Sequence, residues 1–196
     1  MAGRLRLWRP PHVETGVPPA KDIPLDGAPP PGVRSAARTM PQLSLLTPLG
    51  ELTVSEEGGH VVAVDWGRGR DQDRTALLLR AREQLQEYFD GERLGFDLPL
   101  APHGTDFQKR VWTALTRIPP GETRSYAEIG RAVGCRAARA IGQANGRNPI
   151  PILIPCHRVV GADGALGGYS GGEGPATKRF LLDLERRALQ RRTHTP

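Results

Sequence analysis

Cysteine is nearly missing from this sequence, which holds only Cys135 and Cys156. A single pair cannot make the disulfide framework of a small secreted domain, nor a cysteine-rich zinc site. A reduced, cytoplasmic setting is the expectation. Long apolar runs are lacking too: the longest, from Ile150 to Pro155, stops far short of the roughly 18 residues that span a bilayer. No charged segment followed by an apolar one opens the chain, so neither export nor membrane insertion is expected. Aromatic residues make up 5% of the chain, and lysine is rare at 3 against 24 arginines. What is there, 196 residues with 38% hydrophobic and 24% charged, suffices for one or two small domains with a real core.

The net charge of +6 is unevenly spread, at +3 over residues 1–40, −5 over 41–100 and +8 over 101–196. A mildly acidic block before a basic one points to a polyanion for the C-terminal half. Nucleic acid is favoured over a lipid surface because no basic amphipathic helix of the lipid-binding kind is present.

Residues 1–39 contain 8 of the 19 prolines and no sustained apolar periodicity, which reads as a disordered Pro-rich tail. From residue 40 to 102 the pattern is that of a small α/β domain. Three short strands are expected at Leu43 to Thr47, Glu51 to Ser55 and His60 to Trp66, joined by turns at Pro48-Leu49-Gly50 and Gly58-Gly59. Leu78, Ala81, Leu85, Tyr88 and Phe89 then fall at helical spacing until Asp90-Gly91. Phe96, Leu98 and Leu100 alternate toward a boundary near Pro102.

The second unit, 103–190, opens on a capping box, Thr105-Asp106-Phe107-Gln108, and a helix with Val111, Trp112, Leu115 and Ile118 on one face. Pro119-Pro120-Gly121 stops it. A second box, Ser125-Tyr126-Ala127-Glu128, starts a helix expected to turn Ile129, Ala132 and Val133 inward and to end at Gly134. A short turn leads to a third helix at about 137–146, which completes a helix-turn-helix pattern. Residues 191–196 read as a C-terminal tail.

The third helix is built almost wholly from small residues. Ile141 with Ala137 and Ala144 is expected to make its buried face, leaving Ala138, Gly142 and Asn145 on one flank and Arg139 with Gln143 on another. Such a helix can press into a groove of DNA with one long cation, or it can simply pack closely against its neighbours. The next segment, Asn148-Pro149-Ile150-Pro151-Ile152-Leu153-Ile154-Pro155-Cys156-His157, weighs for function. Its prolines fix the backbone and deliver a cysteine beside a histidine. A thiol with pKa near ~8.5 needs a base or a positive field to act as a nucleophile. His157 is the candidate base, with a bridging water if the two side chains point apart, and Glu185 is the candidate acid to orient the imidazole. Cys135 has no such neighbours and reads as a structural thiol.

The ordered strings Gly104-Thr105-Asp106-Phe107-Gln108, Val111-Trp112, Gly121-Glu122-Thr123, Ser125-Tyr126, Arg139-Ala140-Ile141-Gly142, Asn148-Pro149, Ile154-Pro155-Cys156-His157-Arg158-Val159, Gly168-Tyr169-Ser170-Gly171-Gly172 and Lys178 resemble the O6-alkylguanine-DNA alkyltransferase family. The resemblance implies an α+β chain in which a ribonuclease-H-like small domain precedes a winged-helix-like, mainly helical domain that binds DNA and carries the chemistry. It implies Cys156 as alkyl acceptor, His157 as water-linked base, Glu185 as orienting acid and Asn148 as support for the turn. Arg139 becomes the finger that replaces a flipped nucleotide, with Tyr126, Ala138, Gly142, Gln143 and Asn145 also on the DNA. Tyr126, Val159, Tyr169, Ser170 and Gly171 line the lesion pocket. The first unit would carry no catalytic residue. The implied reaction is irreversible, single-turnover transfer from O6-alkylguanine, and from O4-alkylthymine, in duplex DNA by a monomer with no cofactor and no metal. The stretch 173–177 is longer than the family pattern, which bears on the register of Glu185. Two other readings stand beside this one. A non-catalytic lesion-binding protein lacks the acceptor cysteine, and a winged-helix regulator has no use for Pro-Cys-His-Arg with the Tyr169 loop.

Overall fold

Alternating apolar residues and two tight turns build the first sheet. In a computed structural model that describes residues 40–193, strands β1 (Gln42–Thr47), β2 (Gly50–Glu57) and β3 (His60–Trp66) form an antiparallel sheet in the order β1-β2-β3. The Pro-rich segment 1–39 lies outside the described residues. The β2–β3 turn is the pair Gly58-Gly59, both at positive φ (56° and 77°), which is the two-residue connection whose twist suits a hairpin. Leu43, Leu45, Leu52, Val54 and Val64 turn their side chains into a core shared with Leu78, Ala81 and Leu85 of helix α1 (Ala76–Asp90). Thr75 caps α1 at its start and Gly91, at φ 77°, ends it.

The exit from α1 is pinned by a polar side chain inside the core. Gln84 is buried and exchanges hydrogen bonds with the backbone of Asp97, so that the extended stretch after it lies along β3. Val61 donates to the Pro99 carbonyl and accepts from the Ala101 amide. One turn of strand further on, the Val64 amide donates to the Pro149 carbonyl at 2.9 Å. The free edge of the first sheet is thus tied to the segment that precedes Cys156.

Both expected capping boxes form, at Thr105–Gln108 and Ser125–Glu128. They start helices α2 (Asp106–Leu115) and α3 (Tyr126–Ala132), and α4 (Ala138–Gly146) follows. Ile129 is buried in α3 as expected, but Ala132 faces outward, since the last turn of the helix meets Ile141 of α4 through Gly130. The Trp112 indole donates to the Ala144 carbonyl at 2.9 Å and locks α4 onto α2. Two-residue strands β4 (Arg124–Ser125) and β5 (Val159–Val160) pair in parallel. The last helix, α5 (Pro175–Thr193), runs beyond residue 190 into the stretch expected to be a tail. Among the described residues no helix is long and apolar enough to cross a membrane.

Candidate active site

The segment Asn148 to Pro155 is a chain of tight turns closed by its own first side chain. Asn148 Nδ2 donates to the Ile154 carbonyl at 2.8 Å while its Oδ1 accepts from the Ile150 amide at 3.0 Å. Leu153 N bonds Pro151 O across Ile152, whose φ is +73°. This is a γ-turn of the rare, strained sign, and a β-branched residue at that φ is held only because its surroundings fix it. Pro155, at φ −80° and ψ 64°, makes the relaxed inverse turn, with Cys156 N bonding Ile154 O at 2.8 Å.

Cys156 through Arg158 then form one turn of 3-10 helix. All three side chains are buried. His157 Nε2 donates to Glu185 Oε1 at 2.9 Å, so the longer 173–177 stretch leaves Glu185 in register on α5. The same carboxylate binds Arg158 through Nε and Nη2, the latter at 2.8 Å, and accepts from the Gly121 amide at 2.9 Å. Its fourth partner comes from the first unit: the Tyr88 hydroxyl donates to Oε1 at 2.9 Å. Glu185 and His157 are both wholly shielded from solvent.

These contacts set the charge states. Burial opposes ionisation of Glu185, but hydrogen bonds from His157 and the Arg158 guanidinium outweigh it and bring the carboxyl down to about 2. Burial also pushes the His157 imidazole down, more than the carboxylate raises it, so the ring is neutral. With its proton on Nε2 facing Glu185, Nδ1 is an acceptor, and that buried atom has no partner among the described residues. Burial raises the Cys156 thiol, against the lowering pull of Asn148, Tyr169 and Lys178. At rest the sulfur is therefore a protonated thiol beside a neutral base. Lys178, buried and brought down to about 8 by burial, donates to the carbonyls of Val159 and Leu166.

Cys156 opens onto a cavity of about 160 Å³ lined by Trp66, Asn145, Asn148, Pro151, Tyr169 and Ser170, among others. A larger groove, of about 490 Å³ between Leu100 and α2, holds no cysteine. The buried Tyr169 hydroxyl faces the Cys156 sulfur and has no nitrogen or oxygen partner among the described residues, and Ser170 Oγ donates to the Gly146 carbonyl, closing the loop against the end of α4. Tyr126 lies between Gly142 and Gly167, where an added Cβ would come within 3.8 and 3.4 Å of it. The Val159 side chain is fully buried, and its carbonyl already receives Lys178. Arg139, Ala138 and Gln143 face solvent on α4, with Gly142 half-exposed.

Asn145 was expected on the DNA-facing flank of that helix and is instead turned inward. It is 4% exposed, and Nδ2 donates to the Cys156 carbonyl at 3.3 Å. The reason is its position one residue after Ala144, on the side of α4 that covers the active-site turn. Cys135 is half-buried, not packed away. Among the described residues, no three His, Cys, Asp or Glu side chains gather as a metal site would require.

Tyr88, Trp66, Arg158 and Lys178 went unassigned in the sequence. Tyr88 reads as one more apolar position of α1, although a phenol at a core position needs a hydrogen-bond partner and so carries a signal of its own. Trp66 ends a strand and shows nothing in sequence that ties it to Cys156. Arg158 adjoins His157, and a cation inside an apolar run implies a buried anion.

Residues 44–102 match the family model described as 6-O-methylguanine DNA methyltransferase, ribonuclease-like domain, and residues 106–187 match the DNA binding domain of the same family. The constitutive methylated-DNA–protein-cysteine methyltransferase of Bacillus subtilis is 50% identical over 152 residues, covering 71% of this chain and 92% of its own. The methylated-DNA–protein-cysteine methyltransferase of Mycobacterium tuberculosis is 58% identical over 107 residues, 54% of this chain and 64% of that one. The crystal structure of Mycobacterium tuberculosis OGT in complex with DNA superposes with a TM-score of 0.68 at 45% identity, covering 75% of this chain and 93% of that chain.

Proposed function

The chain belongs to the 6-O-methylguanine DNA methyltransferase family, and from that membership we propose that it repairs DNA by moving an alkyl group from O6-alkylguanine, and from O4-alkylthymine, onto Cys156. The observation that carries the reading is buried Cys156 on the same 3-10 turn as His157, whose ring is bonded to Glu185, set at a small cavity in a chain whose helix α4 presents Arg139 to solvent.

The substrate is duplex DNA. The lesion leaves the stack and enters the cavity, and Arg139 fills the space it vacates, offsetting an unstacking cost of a few kcal/mol. Ala138, Gly142 and Gln143 form the surface around it, where small side chains allow close approach. Asn145 acts from within the protein, on the Cys156 carbonyl. Tyr126, Tyr169, Ser170 and Gly171 surround the base.

The Cys156 thiol gives its proton to His157 Nδ1 by way of one water, and the imidazolium that forms is stabilised by Glu185. The sulfur attacks the alkyl carbon in line. A C–S bond forms as the C–O6 bond breaks, and the released electron pair passes into the guanine ring. The proton lost by the thiol balances the departing base, so thiol and alkylguanine become thioether and guanine. A thioether has no good leaving group, so each monomer acts once, without cofactor. A buried thiol that is protonated at rest also suits a protein spent in one event, since only a seated lesion brings base, sulfur and electrophile together. The cytoplasm, which keeps thiols reduced, is the compartment this chemistry needs.

The test is incubation with excess duplex containing labelled O6-methylguanine. One methyl per chain, located on Cys156 by peptide mass, is expected. Binding without transfer would favour the lesion-binding reading, and repeated turnover would exclude this mechanism.

A further inference from the structure

We infer that Trp66, supplied by the N-terminal sheet, is the wall that limits the size of alkyl group the site accepts, a proposal that rests on the transfer reading above. Trp66 is the last residue of β3, and its backbone is fixed by pairing with Leu52 on β2 and by the Gly67 amide bonding Glu51 O. On the other edge of the same strand, Val64 N holds Pro149 O. The strand therefore delivers the indole to a place set by the catalytic segment itself.

Trp66 lines the cavity that holds Cys156, together with a rigid pair, Pro149 and Pro151. The backbone of Gly171 and Gly172 lies directly against the ring. A Cβ at Gly171 would stand 3.0 Å from Trp66 Cζ2 and Nε1, and one at Gly172 would stand 3.3 Å from Cε3 and Cζ3. The Gly171-Gly172 backbone thus lies across the indole, and neither position has room for a side chain. The cavity is small, at about 160 Å³. A methylated base fits that scale, whereas a benzyl substituent brings a whole further ring. The prolines are needed to shape the turn, and Tyr169 faces the sulfur. Trp66 is a large wall residue that makes no hydrogen bond to Cys156, His157 or Glu185 among the described residues, so it sets volume separately from chemistry.

The experiment compares single-turnover rates on duplexes carrying O6-methylguanine and O6-benzylguanine for the full chain, Trp66→Ala and Trp66→Phe. The benzyl-to-methyl ratio should rise on the order of tenfold or more in Trp66→Ala, the scale at which pocket volume discriminates substrates. Trp66→Phe, which keeps a ring beneath Gly171-Gly172, should fall between. A ratio that does not move in either variant overturns the inference. So does a parallel loss of both rates in both variants, which would make Trp66 a support for the loop. Absence of methyl transfer by the unaltered chain would instead sink the transfer reading itself, so the two failures are told apart.

Discussion

Two kinds of interior meet in the described chain, an apolar core that runs through both halves and a charged cluster around the 3-10 turn. Behind the sheet, the buried side chains are mainly apolar: Leu43, Leu45, Leu52, Val54, Leu78, Ala81 and Leu85. Around the 3-10 turn, the buried set includes His157, Arg158, Lys178, Glu185 and Asn145. Apolar burial stabilises by about 25 cal/mol per Å² of surface removed from water. Burying charges costs several kcal/mol per ion and is recovered only through excellent pairing, so it is a poor way to hold a fold together. The charged interior is explained by reactivity, and the apolar core, to which Val111, Trp112, Leu115, Ile141 and Leu181 contribute as well as the sheet, supplies the stability that lets it persist. Where the two meet, Tyr88 and Trp66 cross from the first interior into the second.

The deepest break in this comparison is expected at the nucleophile. Cys156→Ala should abolish transfer while leaving lesion binding, and Cys135→Ser should leave the stoichiometry at one alkyl per chain, both read by label incorporation. Label found on Cys135 in the unaltered protein would reverse the assignment of the two cysteines.

Next in size is the buried carboxylate. Glu185→Gln should slow transfer on the order of 10²–10³-fold, within the range for general acid–base catalysis. It should also lower stability by about 3–5 kcal/mol, because Arg158 would be left buried without an anion. The sign of the pH dependence follows from the shifts. Glu185 is depressed in the folded chain, to about 2 from 4.5, so its contribution is present above pH 4.5 and is lost as pH falls toward 2. His157 is also depressed, so the unfolded chain takes up its proton first as pH drops below 6.5, again favouring unfolding. Chemical denaturation between pH 8 and 3 should show stability falling with acid, and Glu185→Gln should flatten the lower part. A curve that instead rises toward acid would refute both charge assignments.

On the solvent side of the helical unit the effect should depend on the substrate. Arg139→Ala is expected to slow repair of duplex about a hundredfold, the equivalent of a few kcal/mol of lost support for the flipped base. Reaction with free O6-benzylguanine, which has no stack to leave, should change little. Equal losses on both would make Arg139 structural.

The contrast between the halves also decides what could be read from the sequence. Strands, capping boxes and the Gly58-Gly59 turn were legible because each is local: period two, a Thr or Ser answered three residues later, two glycines at a hairpin. Cys156, His157 and Asn148 were legible because the prolines fix them in one short segment. Asn145 was misplaced because helical spacing gives a face but not what covers it, and its partner is a backbone carbonyl eleven residues on. Tyr88 lies 97 residues from Glu185, and no local pattern reaches that far.

The smallest expected effect falls on that long contact, and it is the most informative about whether the first unit is only a support. Tyr88→Phe keeps the ring that packs edge-on to Phe89 and removes one oxygen. Glu185 Oε1 then loses one donor but keeps His157 and Arg158. A net loss of about 1 kcal/mol in stability is expected from one buried hydrogen bond. A purely structural contact would show that loss and nothing else. The chemistry argues for more. With one fewer donor, the carboxylate holds the imidazole proton more strongly, the His157 pKa rises, and the neutral base is lost at higher pH. The acid limb of the transfer rate should therefore move upward in pH, with the rate near pH 8 reduced only a few-fold at most. The profile is measured by single-turnover transfer from pH 5 to 8.5, at a temperature where both proteins are fully folded. If the limb stays in place while stability drops, the hydroxyl only holds the two halves together, and the division of labour between them is complete.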